Sequence, residues 1–104
     1  MNVIIVGAGK IGSLIAHKLS DQGHRVTIIE KNPRATVQLS RGRINSGAIT
    51  VIHQDGSTGS AMVKAGISDT DVFIASTGKD SLNGLAAQRA LTVCPTARAK
   101  SAAL

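Results

Sequence analysis

Gly7, Gly9 and Gly12 stand in the opening stretch MNVIIVGAGKIG with the spacing G-x-G-x-x-G, directly after the apolar run NVIIV. Glycines so placed bring the backbone close to a ligand: Gly7 permits a tight turn, Gly9 lets a pyrophosphate reach main-chain N–H groups, and Gly12 lets a helix pack tightly on the preceding strand. Ala8, Lys10 and Ile11 complete the loop, and a helix opening there offers its positive pole to phosphates. Glu30 follows Gly12 by eighteen residues, at the end of the run VTII, where a carboxylate can accept hydrogen bonds from both hydroxyls of a ribose. The chemistry is recognition of a nucleotide. A 2′-phosphate beside Glu30 would meet like charge, which favours NAD or an adenosine nucleotide over NADP; Lys31 and Arg34 temper that preference. Lys10 reads either as a solvated lysine on the first helical turn or as a cation beside the distal phosphates.

Strands and helices must bring these residues together. The runs NVIIV (2–6), VTII (26–29), AITVI (48–52) and DVFIA (71–75) are almost continuously apolar and β-branched, which predicts parallel strands covered on both faces; TARA (96–99) predicts a short fifth. Between them, Ile11, Leu14, Ile15, Ala16 and Leu19 keep the spacing of a helix packed on a sheet, with Gly23 as its stop. Asn32 and Pro33 read as the cap and first turn of a helix running to about Ser40 or Arg41. Ser57 reads as the cap of a third helix that carries Met62 and Val63 and ends at Gly66, where a left-handed residue is tolerated. A fourth helical segment covers 80–91 despite Gly84.

This alternation predicts an α/β fold, a Rossmann-like doubly wound parallel sheet forming a single small domain over 1–104. Ligands of such sheets sit beyond the carboxyl ends of the strands. Those ends carry Gly7 to Gly12; Glu30 and Lys31; His53, Gln54, Asp55 and Gly56; and Ser76, Thr77 and Gly78. Asp55 also reads as an Asx turn ahead of the third helix. Asp69 and Asp71 flank the start of the fourth strand, opposite the site, as turn and cap residues. His17 and His24 read as surface residues.

Composition limits the alternatives. With 104 residues, 42% of them hydrophobic, the chain suits one small domain with a core. Its start enters NVIIV without a basic leader or cleavage-site pattern, and no apolar stretch is long enough to span a bilayer, so the expectation is a cytosolic protein. Cys94 is the single cysteine, which excludes an intramolecular disulfide, and no ligand spacing around His53 suggests a metal. The net charge of +6 attracts anions, but the basic residues are scattered and Phe73 is the only aromatic residue, so no nucleic-acid surface is expected. No acid, base or nucleophile pattern after residue 80 supplies what a dehydrogenase needs, which argues against an enzyme; the alternative is an NAD-dependent oxidoreductase fragment lacking its substrate domain.

Over nearly its whole length the chain resembles the TrkA N-terminal (KTN or RCK) domain family. The resemblance is carried by MNVIIVGAGKIGSLIAHKLSDQGHRVTIIEKNP and by three more specific stretches: QDGS, AGISDTDVFIA and TGKDSLN. It implies a cytoplasmic regulatory subunit that binds NAD(H) or ATP/ADP and controls potassium transport. It also implies a membrane potassium transporter or channel subunit as partner, at the inner face of the membrane, and assembly as a homodimer or larger ring. Carried over by residue, it places Gly7, Gly9 and Gly12 in the phosphate loop, Glu30 on the ribose, Asp55 beside the adenine, Lys10 near the terminal phosphate, and Thr77 and Gly78 across the crevice; Asn83 also fits the pattern. Gln54 stands where the family usually has Gly, and Lys79 where an acid is common.

Overall fold

The computed structural model describes residues 1–56, 58–76 and 99–101. Five strands, β1 (Asn2–Val6), β2 (Arg25–Ile29), β3 (Ile49–Ile52), β4 (Val72–Ala75) and β5 (Ala99–Ser101), form one sheet in the order β3-β2-β1-β4-β5. Every pairing is parallel. The chain builds outward from β1 through β2 to β3, then crosses back to place β4 on the other side of β1. The order therefore reverses between β1 and β4, where open parallel sheets leave a crevice.

The apolar runs become strands because both faces are covered. Val3 and Ile5 point to one core with Val26, Ile28 and Ile49, beneath helix α1 (Lys10–Asp21). Ile4 and Val6 point to the other with Ile29, Phe73 and Ala75, beneath Ala61 and Met62 of helix α3 (Gly59–Lys64). Consecutive residues thus enter opposite cores, and no alternation of polar and apolar residues is required. Away from the crevice, the Asp71 carboxylate accepts from the Asn2 N–H at 2.8 Å and joins the starts of β1 and β4.

Four expectations are corrected. Ile11 and Leu14 do not pack on the sheet: they are 40% and 63% exposed, while Ala16 is buried, Ile15 and Leu19 pack against the core as expected, and Gly12 and Ser13 are buried beside them. Small residues underneath let the first turn of the helix lie close to β1, which leaves Ile11 and Leu14 outward. The helix expected from Asn32 to Ser40 or Arg41 is broken. A 3-10 turn covers Pro33–Gln38 with the Asn32 side chain as its cap, and helix α2 (Arg41–Asn45) begins after it, capped by Ser40. Leu39 between them is extended and only 3% exposed; its insertion into the core interrupts the helical path.

Third, the cap of α3 is Thr58, whose Oγ1 accepts from the Ala61 N–H at 3.2 Å and donates to the Asp55 carbonyl at 2.9 Å; Ser57 lies outside the described residues. Thr58→Ala should lower stability by about 1 kcal/mol, measured by urea unfolding. Fourth, the last strand pairs through Ala99 to Ser101 and shares only Ala99 with the expected span. Gly23 and Gly66 take the positive φ expected of helix stops, at 89° and 84°. The segment 80–91, with Asn83, lies outside the described residues, as do Lys79 and Cys94.

Both histidines of the first half are tethered rather than free. His17 Nε2 accepts from the Ser40 N–H at 2.9 Å, joining the middle of α1 to the cap of α2, and the N-terminal ammonium donates to His24 Nδ1 at 3.1 Å. The same pair of helices is joined again where Arg43 donates to Asp21 at 2.9 and 2.7 Å. That hydrogen bonding, with the guanidinium charge, holds the Asp21 carboxyl below its ordinary pKa.

Candidate nucleotide-binding site

The end of β1 organises the crevice. Gly7 leaves the strand at φ 109°, a conformation that disfavours any side chain, and its N–H donates to the Ile29 carbonyl at 2.9 Å. Gly9 is the N-cap of α1, and Ser13 N–H donates back to the Gly9 carbonyl at 2.9 Å as the first turn closes. Lys10, Ile11 and Gly12 supply the next N–H groups, which find no acceptor among the described residues, as expected of a helix start. No acid sits in this first turn, and its only ionisable residue, Lys10, is exposed. The positive end of the helix is therefore reinforced rather than neutralised, and the arrangement attracts an anion.

Gly12 faces the opposite requirement. A Cβ on it would fall far inside van der Waals contact with the Gly7 carbonyl oxygen, so the helix lies against the turn only because no side chain is there. Gly56 is confined in the same way by Val6 at the end of β1. That packing brings the loop after β3 over the crevice.

Glu30 is half-buried at the end of β2. Its Oε1 accepts from the Ala8 N–H at 2.8 Å and its Oε2 from the Asn32 N–H at 3.0 Å. An ionised carboxylate has about four lone-pair sites, so two partners leave capacity for two hydroxyl donors. Asp55 is exposed beyond β3, and its main-chain carbonyl accepts from the N–H and the hydroxyl of Thr58, closing a backbone turn ahead of α3. Ser76 is 5% exposed, and its N–H donates to the Val6 carbonyl at 2.8 Å, which carries the β1–β4 pairing one residue past the strands. Thr77 and Gly78 lie outside the described residues.

Of the expected residues, Glu30 meets the loop after β1 through Ala8, and Gly56 and Ser76 meet the end of β1 through Val6. Lys31 and Arg34 are exposed beside Glu30. One residue escaped the sequence reading. Ser13 is 3% exposed, and its hydroxyl donates to the Ala8 carbonyl at 2.8 Å. The available signal was a small polar residue directly after Gly12, on the face that the glycine spacing turns toward the sheet.

A second hollow, of about 180 Å³, lies at the amino ends of β1 and β2 and is lined by Asn2, Arg25, Thr27, Asp69 and Thr70, among others. Two of its polar side chains already serve the fold: Asn2 donates to the Asp69 carbonyl and Thr70 to the Gly66 carbonyl. Among the described residues no helix is long and apolar enough to cross a membrane, and no cluster of three His, Cys, Asp or Glu gathers.

Comparisons agree with this architecture. A Trk system potassium uptake protein TrkA homolog from Pyrococcus abyssi is 41% identical over 86 residues, covering 83% of this chain and 36% of its own length. The Trk system potassium uptake protein TrkA of Streptomyces coelicolor is 32% identical over 88 residues, covering 85% of this chain and 38% of its own. The chain therefore spans little more than a third of these curated relatives. Among solved structures, the Shewanella denitrificans Kef CTD in AMP-bound form superimposes with a TM-score of 0.79 at 20% identity, over 97% of this chain and 58% of that one. The TrkA-N domain of the inner membrane protein ybaL from Escherichia coli gives 0.76 at 17% identity, over 96% of this chain and 70% of its own. These two establish a shared fold. The TrkA-N domain family matches residues 3–103, nearly the whole chain, and the chain belongs to that family.

Proposed function

We propose that this chain is a regulatory nucleotide-binding domain that senses NAD(H) or ATP/ADP and controls potassium uptake. The observation that carries the reading is the start of α1: N–H groups with no acceptor among the described residues, Lys10, no acid in the first turn, and Glu30 bonded to the same loop. In this reading Gly7 to Gly12 hold the phosphates and Glu30 the ribose. Lys31, Asp55, Gly56, Ser76, Thr77 and Gly78 border the remainder of the ligand.

The potassium system is inferred from relatives bearing the Trk uptake name. An adenine nucleotide also accords with the AMP named for the Kef structure. A membrane potassium transporter or channel subunit is the partner, met at the cytoplasmic face by a homodimer or larger ring of these domains. Nucleotides bias such an assembly only through a difference in affinity for its two states. The domain itself carries out no turnover.

Calorimetric titration with NAD, NADH, ATP, ADP and NADPH tests the reading. Saturable binding of at least one adenine nucleotide is expected, with NADH left unoxidised in the presence of small carbonyl compounds. Absence of binding by all five would overturn the nucleotide assignment, and steady NADH oxidation would overturn the regulatory one.

A further inference from the structure

Ala8 sits inside the glycine loop and is fully buried. A buried residue needs partners for both its main-chain N–H, on the Gly7–Ala8 peptide, and its C=O, on the Ala8–Gly9 peptide. Secondary structure supplies neither here, because Gly7 at φ 109° has left β1 and Gly9, extended at φ −69° and ψ −169°, has not yet entered α1. Two side chains supply them instead. Glu30 Oε1 takes the Ala8 N–H at 2.8 Å, and the Ser13 hydroxyl donates to the Ala8 carbonyl at 2.8 Å. The first reaches in from the end of β2 and the second from the second turn of α1. Between them they hold the two peptides that flank Ala8, the first through its N–H and the second, which leads into Gly9 and the N–H groups of Lys10 and Ile11, through its C=O.

We propose that Glu30 and Ser13 are positioning residues for the phosphate loop, clamping the two peptides on either side of Ala8 so that Glu30 acts on the phosphates as well as on the ribose. The proposal rests on the nucleotide reading above and extends it to a residue, Ser13, that touches no ligand. It makes a prediction opposite in sign to simple electrostatics. If Glu30 served the ribose alone, removing its negative charge would leave a ribose-free polyphosphate unaffected or bound more tightly. With the clamp, the same change releases the loop and weakens polyphosphate binding. It also couples the two halves of the ligand through one carboxylate.

The experiment uses the 104-residue chain with ADP, the moiety common to NAD and ATP, and inorganic tripolyphosphate as its competitor. Ser13→Ala and Glu30→Ala should each weaken tripolyphosphate on the order of five- to tenfold, the scale of one lost hydrogen bond to a loop that must be held. Glu30→Gln keeps an oxygen for the Ala8 N–H and should recover most of the tripolyphosphate affinity while ADP binding stays weakened. That rescue separates positioning from general damage, and thermal unfolding checks each variant. Where Ser13→Ala loses its unfolding transition, Glu30→Ala, at a half-exposed position, decides alone.

Unchanged or tighter tripolyphosphate binding in Glu30→Ala overturns the clamp. So does failure of tripolyphosphate to displace ADP from the unmodified chain, which leaves the nucleotide reading standing. Failure of the unmodified chain to bind ADP at all overturns that reading, and the clamp with it.

Discussion

Gly12→Ala should cost about 3 kcal/mol or more of folding stability, at the upper end of what overpacking does, because the added methyl meets backbone and not a side chain that can turn away. In a domain of this size that corresponds to a fall in melting temperature of roughly 12–24 °C. Helix α1 would have to rise off the Gly7 turn, and the free N–H groups would move with it. Gly9→Ala provides the contrast. A Cβ there meets nothing within 4 Å among the described residues and Gly9 has negative φ, so the variant should melt at or slightly above the unmodified chain. Its methyl nonetheless enters the space over the loop through which a pyrophosphate would approach, and ADP binding should weaken. Thermal unfolding and ADP titration on both variants therefore separate a glycine needed for packing from one needed for ligand access. Equal melting temperatures for Gly12→Ala and the unmodified chain would show that the close approach is not required.

The first four strands were legible because each is a run rich in β-branched residues bounded by turn formers, and parallel strands buried on both faces leave little else for such runs to be; β5, the sequence AKS, has no such run and was placed only at Ala99. The crevice was legible for a related reason: Gly7, Gly9, Gly12 and Glu30 each follow a strand, and the topology collects strand ends. What the sequence hid depends on contacts between distant residues. Periodicity located Ile11 and Leu14 on one stripe with Ile15, Ala16 and Leu19, but only the close seating of Gly12, Ser13 and Ala16 determines that the first two turn to solvent while the others face the core.

Leu39 looked like one more residue of a helix until its burial against the sheet fixed it as the break between a 3-10 turn and α2. Ser57 and Thr58 are equivalent as caps on paper, and Thr58 is the one whose oxygen reaches Ala61. His17 read as a surface residue because Ser40, whose N–H it accepts, is 23 residues away. The role of Ser13 and the bond from Glu30 to Ala8 belong to the same class, since neither partner advertises the other in sequence.

Glu30→Ala should weaken NAD binding by about 1–3 kcal/mol, the range for a hydrogen-bonding charged group whose removal also strands a buried donor, here the Ala8 N–H. NADP should respond differently. In the unmodified chain its 2′-phosphate would approach a carboxylate already fixed by the N–H groups of Ala8 and Asn32 and therefore unable to swing aside. Loss of the acid removes that repulsion and leaves Lys31 and Arg34, both exposed and neither in an ion pair among the described residues, to meet the phosphate. The loop would be loosened for both ligands alike, so the comparison between them isolates the charge. NAD should lose affinity while NADP loses less or gains, and the preference between them should narrow or invert. Calorimetric titration of both dinucleotides against both chains measures this directly. An equal loss for NAD and NADP would leave Glu30 with its loop-holding role alone, and unchanged NAD affinity would remove it from the site altogether.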